Sequence, residues 1–154
     1  MIVVSDTSSV SALLRISHGS LLEQLYGEIL IPSAVRDELL IFFPRLPEFL
    51  HCRSVSDMNL VVRFRRELDL GEAEAIALAQ ETHAEVLLID ELKGRRVAER
   101  EGIPIIGLMG VLLQAKRTGL IDSVRPLIER LQSEADFRLS PAFKEATLKR
   151  ANEL

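Results

Sequence analysis

The sequence holds a single cysteine, Cys52, and no tryptophan. One cysteine excludes an intrachain disulfide and a cysteine-based zinc site, and makes a reducing compartment the default. The three histidines, His18, His51 and His83, share no close ligand spacing, which argues against histidine–zinc chemistry. Long apolar runs are also missing. Val86–Ile89 stops at Asp90, far short of the roughly 20 residues that a bilayer crossing needs. The opening MIVVSDTSS has no basic stretch before its apolar run, so neither a signal peptide nor a membrane association is expected, and the expected location is cytoplasmic. Aromatics are sparse: Tyr26 is the only tyrosine, beside six phenylalanines. The phenylalanines read as mostly structural, which leaves no stacking platform for single-stranded bases.

What is present suits one globular domain of 154 residues, 47% hydrophobic and 27% charged. A chain of this size buries roughly two thirds of its unfolded surface and needs no metal or disulfide staple to fold. The net charge of -4 argues against non-specific coating of a polyanion. The charge is unevenly placed. Residues 1–90 carry 7 basic and 14 acidic side chains, and residues 91–154 carry 12 basic and 9 acidic. Either this is solvated surface, or an acidic cleft that gathers cations stands beside a basic rim that meets phosphate.

Short β-branched runs alternate with helical periodicity. Strands are expected at Met1–Val4, Ile29–Ile31, His51–Val55, Val86–Ile89 and Ile103–Ile106. Between them the 3.6-residue period and capping residues predict helices, among them 33–42, one capped at Ser56 or Asp57 and running to Leu68, one opening near Glu72, and 92–100. Gly107 and Gly110 are read as bracketing a turn before a helix from Val111 to Arg117. Residues 122–154 read as a C-terminal helical extension of one domain spanning 1–154. The segment IFFPRLPEFL, broken by Pro44 and Pro47, is read as wrapping the core. Strand–helix alternation predicts a three-layer α/β/α fold with a roughly five-stranded, mainly parallel central sheet. Such sheets place ligands beyond the carboxyl ends of their strands.

Acidic residues stand where that rule points. Asp6 follows the first strand, Asp90 follows the fourth, Glu38 lies in the helix after the second, and Glu72 and Glu74 open the central helix. Carboxylates brought together raise one another's pKa, and a hard divalent cation with oxygen ligands relieves that cost. Each residue alone also has an ordinary reading: Asp6 as a helix cap, and Glu72 or Glu74 as first-turn acids. A phosphatase of the haloacid dehalogenase type needs a second aspartate two residues after the first, and that position is Ser8. A dinucleotide-binding turn of the GxGxxG kind is replaced by DTSSV.

The pieces IVVSDTSSVSALLRI, IPSAVRDEL, LDLGEAEAIALA, VLLIDELKGRRVAEREGIPIIG and GVLLQAKRTGLI, in that order, resemble the PIN-domain nucleases. Within them the likeness is to the VapC-like toxin group and to a related group of small proteins described as predicted nucleic-acid-binding. The resemblance spans nearly the whole chain. It implies a five-stranded parallel sheet between helices and cleavage of RNA dependent on Mg²⁺ or Mn²⁺. It also implies a homodimer, with Ile41–Leu50 and the helix Asp57–Leu68 as candidate interface elements, and a possible cognate antitoxin protein. Matched residue by residue, the catalytic set is Asp6, Glu38, Glu72 and Asp90. The metal ligands are those four with Glu74 and Glu91, Glu72 ranking above Glu74 because Ala75, Ile76 and Ala79 form its buried stripe. Thr7 and Ser8 would support the ligands, and Arg95 and Arg96 would contact phosphate. The chain departs from its relatives in having Asp90-Glu91 where two aspartates are usual, and Gly94 where alanine is common. Two readings therefore stay open: an endoribonuclease, as the toxin of a toxin–antitoxin pair, and a non-catalytic PIN-like nucleic-acid- or antitoxin-binding module with a weakened metal site.

Overall fold

The strands of this protein are short, and alternation along them decides which layer each side chain enters. The computed structural model describes residues 1–154. In chain order its elements are β1 (Val3–Ser5), α1 (Thr7–Arg15), α2 (Ser20–Tyr26), β2 (Ile29–Ile31), α3 (Ser33–Phe42), β3 (Leu50–Cys52), α4 (Met58–Phe64), α5 (Leu70–Glu81), β4 (Val86–Leu88), α6 (Leu92–Arg100), β5 (Ile105–Ile106), α7 (Leu108–Arg117), α8 (Arg125–Glu134) and α9 (Pro141–Arg150). The five strands form one sheet in the order β3-β2-β1-β4-β5, and every pairing is parallel. Val4 lies opposite both Leu30 and Leu87.

Two cores follow from that register. Val3, Ile29, Ile31 and Leu88 face a core shared with α1, α2, α3, α7, α8 and α9. Val4, Leu87 and Ile89 face the opposite core, built with α4, α5 and α6. Helices therefore cover both faces of the sheet, the three-layer arrangement expected from the alternating pattern. Leu127, Ile128, Leu131 and Leu148 place α8 and α9 in the first of these cores.

Boundaries differ from the sequence reading for local reasons. β5 begins at Ile105 because Pro104 has no N–H to donate to a ladder. Helix α4 stops at Phe64 rather than Leu68, and Leu68 closes the turn by donating its N–H to the Phe64 carbonyl at 3.0 Å. Helix α7 begins at Leu108, not Val111, and Gly110 lies inside it, where a Cβ would sit 2.8 Å from Ile106 Cγ1. The proline-broken segment divides in two. Phe49 is buried and Phe43, Leu46 and Leu50 pack on the core, whereas Ile41 and Phe42 are exposed. No helix is long and apolar enough to cross a membrane.

Candidate active site

In the strand order β3-β2-β1-β4-β5 the chain reverses direction of travel between β1 and β4. A crevice opens beyond the carboxyl ends of such a strand pair. Asp6 stands there, one residue past β1 and 2% exposed. Its backbone N–H donates to the Leu88 carbonyl at 3.1 Å, tying it to β4. Its carboxylate caps α1, accepting from the Ser9 N–H at 3.1 Å and from the Ser8 hydroxyl at 3.2 Å. The cap and the crevice position belong to the same side chain.

Glu38 arrives from α3, where its Oε2 accepts from the Thr7 hydroxyl at 2.6 Å. Helix α5 brings Glu72, buried, and Asp69, which caps that helix by accepting from the Glu72 N–H at 2.9 Å. Glu91 precedes α6. Asp6, Glu38, Asp69, Glu72 and Glu91 line one cavity of about 300 Å³, and no lysine, arginine or histidine lines it with them. Two glycines let the carboxylates sit this close to backbone. A Cβ on Gly71 would lie 2.6 Å from Glu38 Oε1, and one on Gly94 would lie 2.8 Å from Glu72 Oε2.

Asp90 stands to one side. It lines a neighbouring, larger cavity of about 850 Å³, which shares Ser8, Ser11 and Glu91 with the first. Both of its oxygens accept from the Leu108 N–H at 3.1 Å, at the start of α7, and Oδ2 also accepts from the Ser9 hydroxyl at 3.1 Å. Ser9 thus holds Asp6 with its backbone and Asp90 with its side chain. Glu74 points elsewhere: its Oε1 accepts from the Ala34 N–H at 3.0 Å and ties α5 to the first turn of α3. Arg95 lines the larger cavity, while Arg96 lines a separate depression with Arg66, Lys93 and Arg100.

The electrostatics are those of crowded, dehydrated anions. Burial pushes the Asp6 carboxyl up to about 7, against the opposing Ser9 hydrogen bonds, and the nearby Asp90 charge adds to the rise. Burial pushes Glu72 up to about 8, with Asp69, Glu91 and Asp6 as further negative neighbours. Asp90 is raised by burial as well, although the Leu108 N–H, Ser9 and Arg95 act against it. One buried oxygen, Glu72 Oε2, has no hydrogen-bond partner.

The PIN-domain family model matches residues 2–153. The chain belongs to the PIN-domain family. Its fold is accordingly a nuclease fold, in a family whose members generally use divalent metal ions. No curated protein matches the chain significantly. The donors fit such an ion by charge and chemistry: all are hard carboxylate oxygens, no cation neutralises them, and one buried oxygen is left without a partner. They are not preassembled, since no group of three or more His, Cys, Asp or Glu side chains is gathered tightly enough to hold an ion.

In this PIN domain, sequence reading missed Asp69. The signal was available, because an aspartate three residues before Glu72 has the spacing of an N-cap. Its place on the cavity wall was not readable. Four of the six phenylalanines, Phe43, Phe49, Phe64 and Phe137, pack on the two cores, and two do not. Phe42 is 65% and Phe143 52% exposed, and Arg15 lies over the Phe42 ring at 5.3 Å from its centre.

Proposed function

We propose that this PIN-domain protein is a divalent-metal-dependent endoribonuclease whose working residues are Asp6, Glu38, Glu72 and Asp90. The observation that carries this reading is the 300 Å³ cavity with five carboxylates, no counter-charge, and a buried Glu72 oxygen left unpartnered. Asp6, Glu38 and Glu72 would hold Mg²⁺ or Mn²⁺, with Asp69 and Glu91 adding negative charge at the rim. The chemistry such an ion supplies is Lewis-acid activation of a water and neutralisation of charge on the leaving 3′-oxygen. The chain's own part is positioning. Thr7 orients Glu38, Ser8 and Ser9 orient Asp6, and Asp90, pinned on α7, fixes Ser9 from the other side. Glu74 is left out of the working set because its side chain turns to the Ala34 N–H and does not line the cavity. Among the two arginines, Arg95 is assigned to phosphate and Arg96 is not.

The role as toxin of a toxin–antitoxin pair and the homodimer rest on the sequence resemblance. The alternative reading, a non-catalytic binding module, is favoured by one observation: the carboxylates are not drawn together as a finished coordination shell. The two readings separate on one experiment. A labelled structured RNA and a DNA of matched sequence are incubated with Mg²⁺, with Mn²⁺ and with EDTA, and Mn²⁺ binding is followed by calorimetry. The expected result is RNA cleavage that needs the ion, with both cleavage and Mn²⁺ binding lost in Asp6→Asn and Glu72→Gln while folding is retained. Cleavage that persists in EDTA or in both variants overturns the assignment. Wild-type protein that binds no Mn²⁺ at millimolar concentration supports the non-catalytic module.

A further inference from the structure

The larger cavity, about 850 Å³, opens beside the carboxylates and shares three lining residues with theirs. One of its walls is the link from α8 to α9 together with the first turn of α9, which supplies Phe137, Arg138 and Phe143. Arg15 of α1 and Arg95 of α6 line the same space. None of these three arginines forms a salt bridge. Phe143 keeps half its surface free. The cavity's acids are Asp90, Glu91 and Asp136. Asp90 is occupied by the Leu108 N–H and Ser9, and Glu91 belongs equally to the carboxylate cavity.

We propose that this cavity is the groove along which a single strand of RNA reaches the carboxylates, its phosphates on Arg15, Arg95 and Arg138 and an unstacked base on Phe143. The proposal rests on the nuclease reading and assigns the residues of this chain that carry the strand to the site. Guanidinium groups without a carboxylate salt bridge suit phosphate oxygens, which take them in a forked geometry: Arg138 has no hydrogen-bond partner, Arg15 keeps its N–H groups free over the Phe42 ring, and Arg95 donates one N–H to the Ile89 carbonyl at 3.3 Å. A half-free phenyl ring in a concave site suits a base that has left its stack, and a duplex keeps its bases stacked. An apolar peptide would fill the aromatic part but leave the guanidinium groups without anions. Residues after 134, which complete the groove, would then select the substrate while the carboxylates act on it.

The test is binding measured by fluorescence anisotropy in EDTA, where cleavage does not consume the probe. The probes are a single-stranded RNA dodecamer containing all four bases and the same dodecamer paired to its complement. The variants are Phe143→Ala, Phe143→Tyr and Arg138→Gln, all at exposed positions. The single strand should bind more tightly than the duplex. Phe143→Ala should weaken it by about fivefold or more, as loss of a stacked base does, and Phe143→Tyr should restore it. Arg138→Gln should reduce the slope of log affinity against log salt by about 0.7, the signature of one lost phosphate contact on a single strand. Equal binding of the duplex, no binding of either RNA, or wild-type behaviour of the variants overturns the groove. Failure of the nuclease reading looks different: binding with all these signatures, and no cleavage in Mg²⁺ or Mn²⁺.

Discussion

Asp6 and Glu72 are stabilised in the folded chain as neutral acids rather than as anions. Their ordinary values are 3.8 and 4.5, and the fold raises them to about 7 and about 8. Between those limits the folded protein binds more protons than the unfolded chain, so stability falls as pH rises. The groups facing them do not reverse this: Asp90 near Asp6, and Asp69, Glu91 and Asp6 near Glu72, are all acids. Glu67, Glu134 and Glu153 are lowered instead and act only below their ordinary value of 4.5, where they lose stability as pH falls. The ion-free protein should therefore melt at a lower temperature at about pH 8 than at about pH 6, by a few kcal/mol of stability. Mn²⁺ should raise the melting temperature more at the higher pH. Asp6→Asn and Glu72→Gln should each flatten the profile measured in EDTA, and a wild-type profile that is already flat would remove this account. At this scale the sequence is informative about residue type and strand-end position. Asp6 and Asp90 are legible because a parallel sheet fixes where its strand ends lie. The deeper burial of Glu72 than of Glu74 is legible from the buried stripe of α5. The separation of Asp90 from the other carboxylates is not legible, because it depends on α7 starting early enough for Leu108 N–H to claim both Asp90 oxygens.

Helices α5 and α6 meet at Gly94, and that meeting shapes the site. A Cβ there would lie 2.5 Å from Ile89 Cδ1 and 2.8 Å from Glu72 Oε2. Both are the far ends of side chains, so the backbone can accept the change, and alanine in a helix interior gains about 1 kcal/mol over glycine. The repacking of Ile89 opposes that gain with a cost of about the same size or more. Gly94→Ala should therefore leave the melting temperature close to wild type while displacing the Glu72 carboxylate. The measurable consequence is weaker Mn²⁺ affinity by calorimetry with folding intact. A variant that binds Mn²⁺ as wild type does would show that Glu72 is not a ligand. The usual alanine of relatives at this position made Gly94 look like a departure. The structure explains the glycine by space, since this chain brings Glu72 against the α6 backbone. Elements were legible in the sequence where period and a boundary residue agree, as with Pro32 before α3 and Gly102 after α6. They were misplaced where a side chain from a distant segment sets the boundary, as Asp90 does for α7, or where an edge strand such as β3 keeps only three paired residues.

The two halves of the chain, one acidic and one basic, come together around the crevice. The acids of α3, α5 and the β1 end line the acidic cavity, and Arg95 and Arg138 come from the basic half. Placement of the second half depends on its last residues. Glu153 accepts from the Val124 N–H at 2.8 Å and the Arg125 N–H at 3.0 Å, satisfying donors at the start of α8 that have no partner within the helix. It also pairs with Lys116 of α7 at 2.9 Å. The chain end after α9 is thereby tied to α7 and α8, which brackets the 135–143 wall of the larger cavity from both sides. Glu153→Ala leaves the Val124 and Arg125 donors unmet and should cost about 1–3 kcal/mol. Glu153→Gln keeps one acceptor oxygen and should cost less. The check is urea denaturation with hydrogen exchange on the same samples. A lower midpoint at unchanged slope means that the tie contributes to the whole cooperative fold. Faster exchange confined to α9 and the first turn of α8, at an unchanged midpoint, means that it holds only the tail. Because Leu131, Leu148 and Ala151 bury these helices in the main core, the expected outcome is the first.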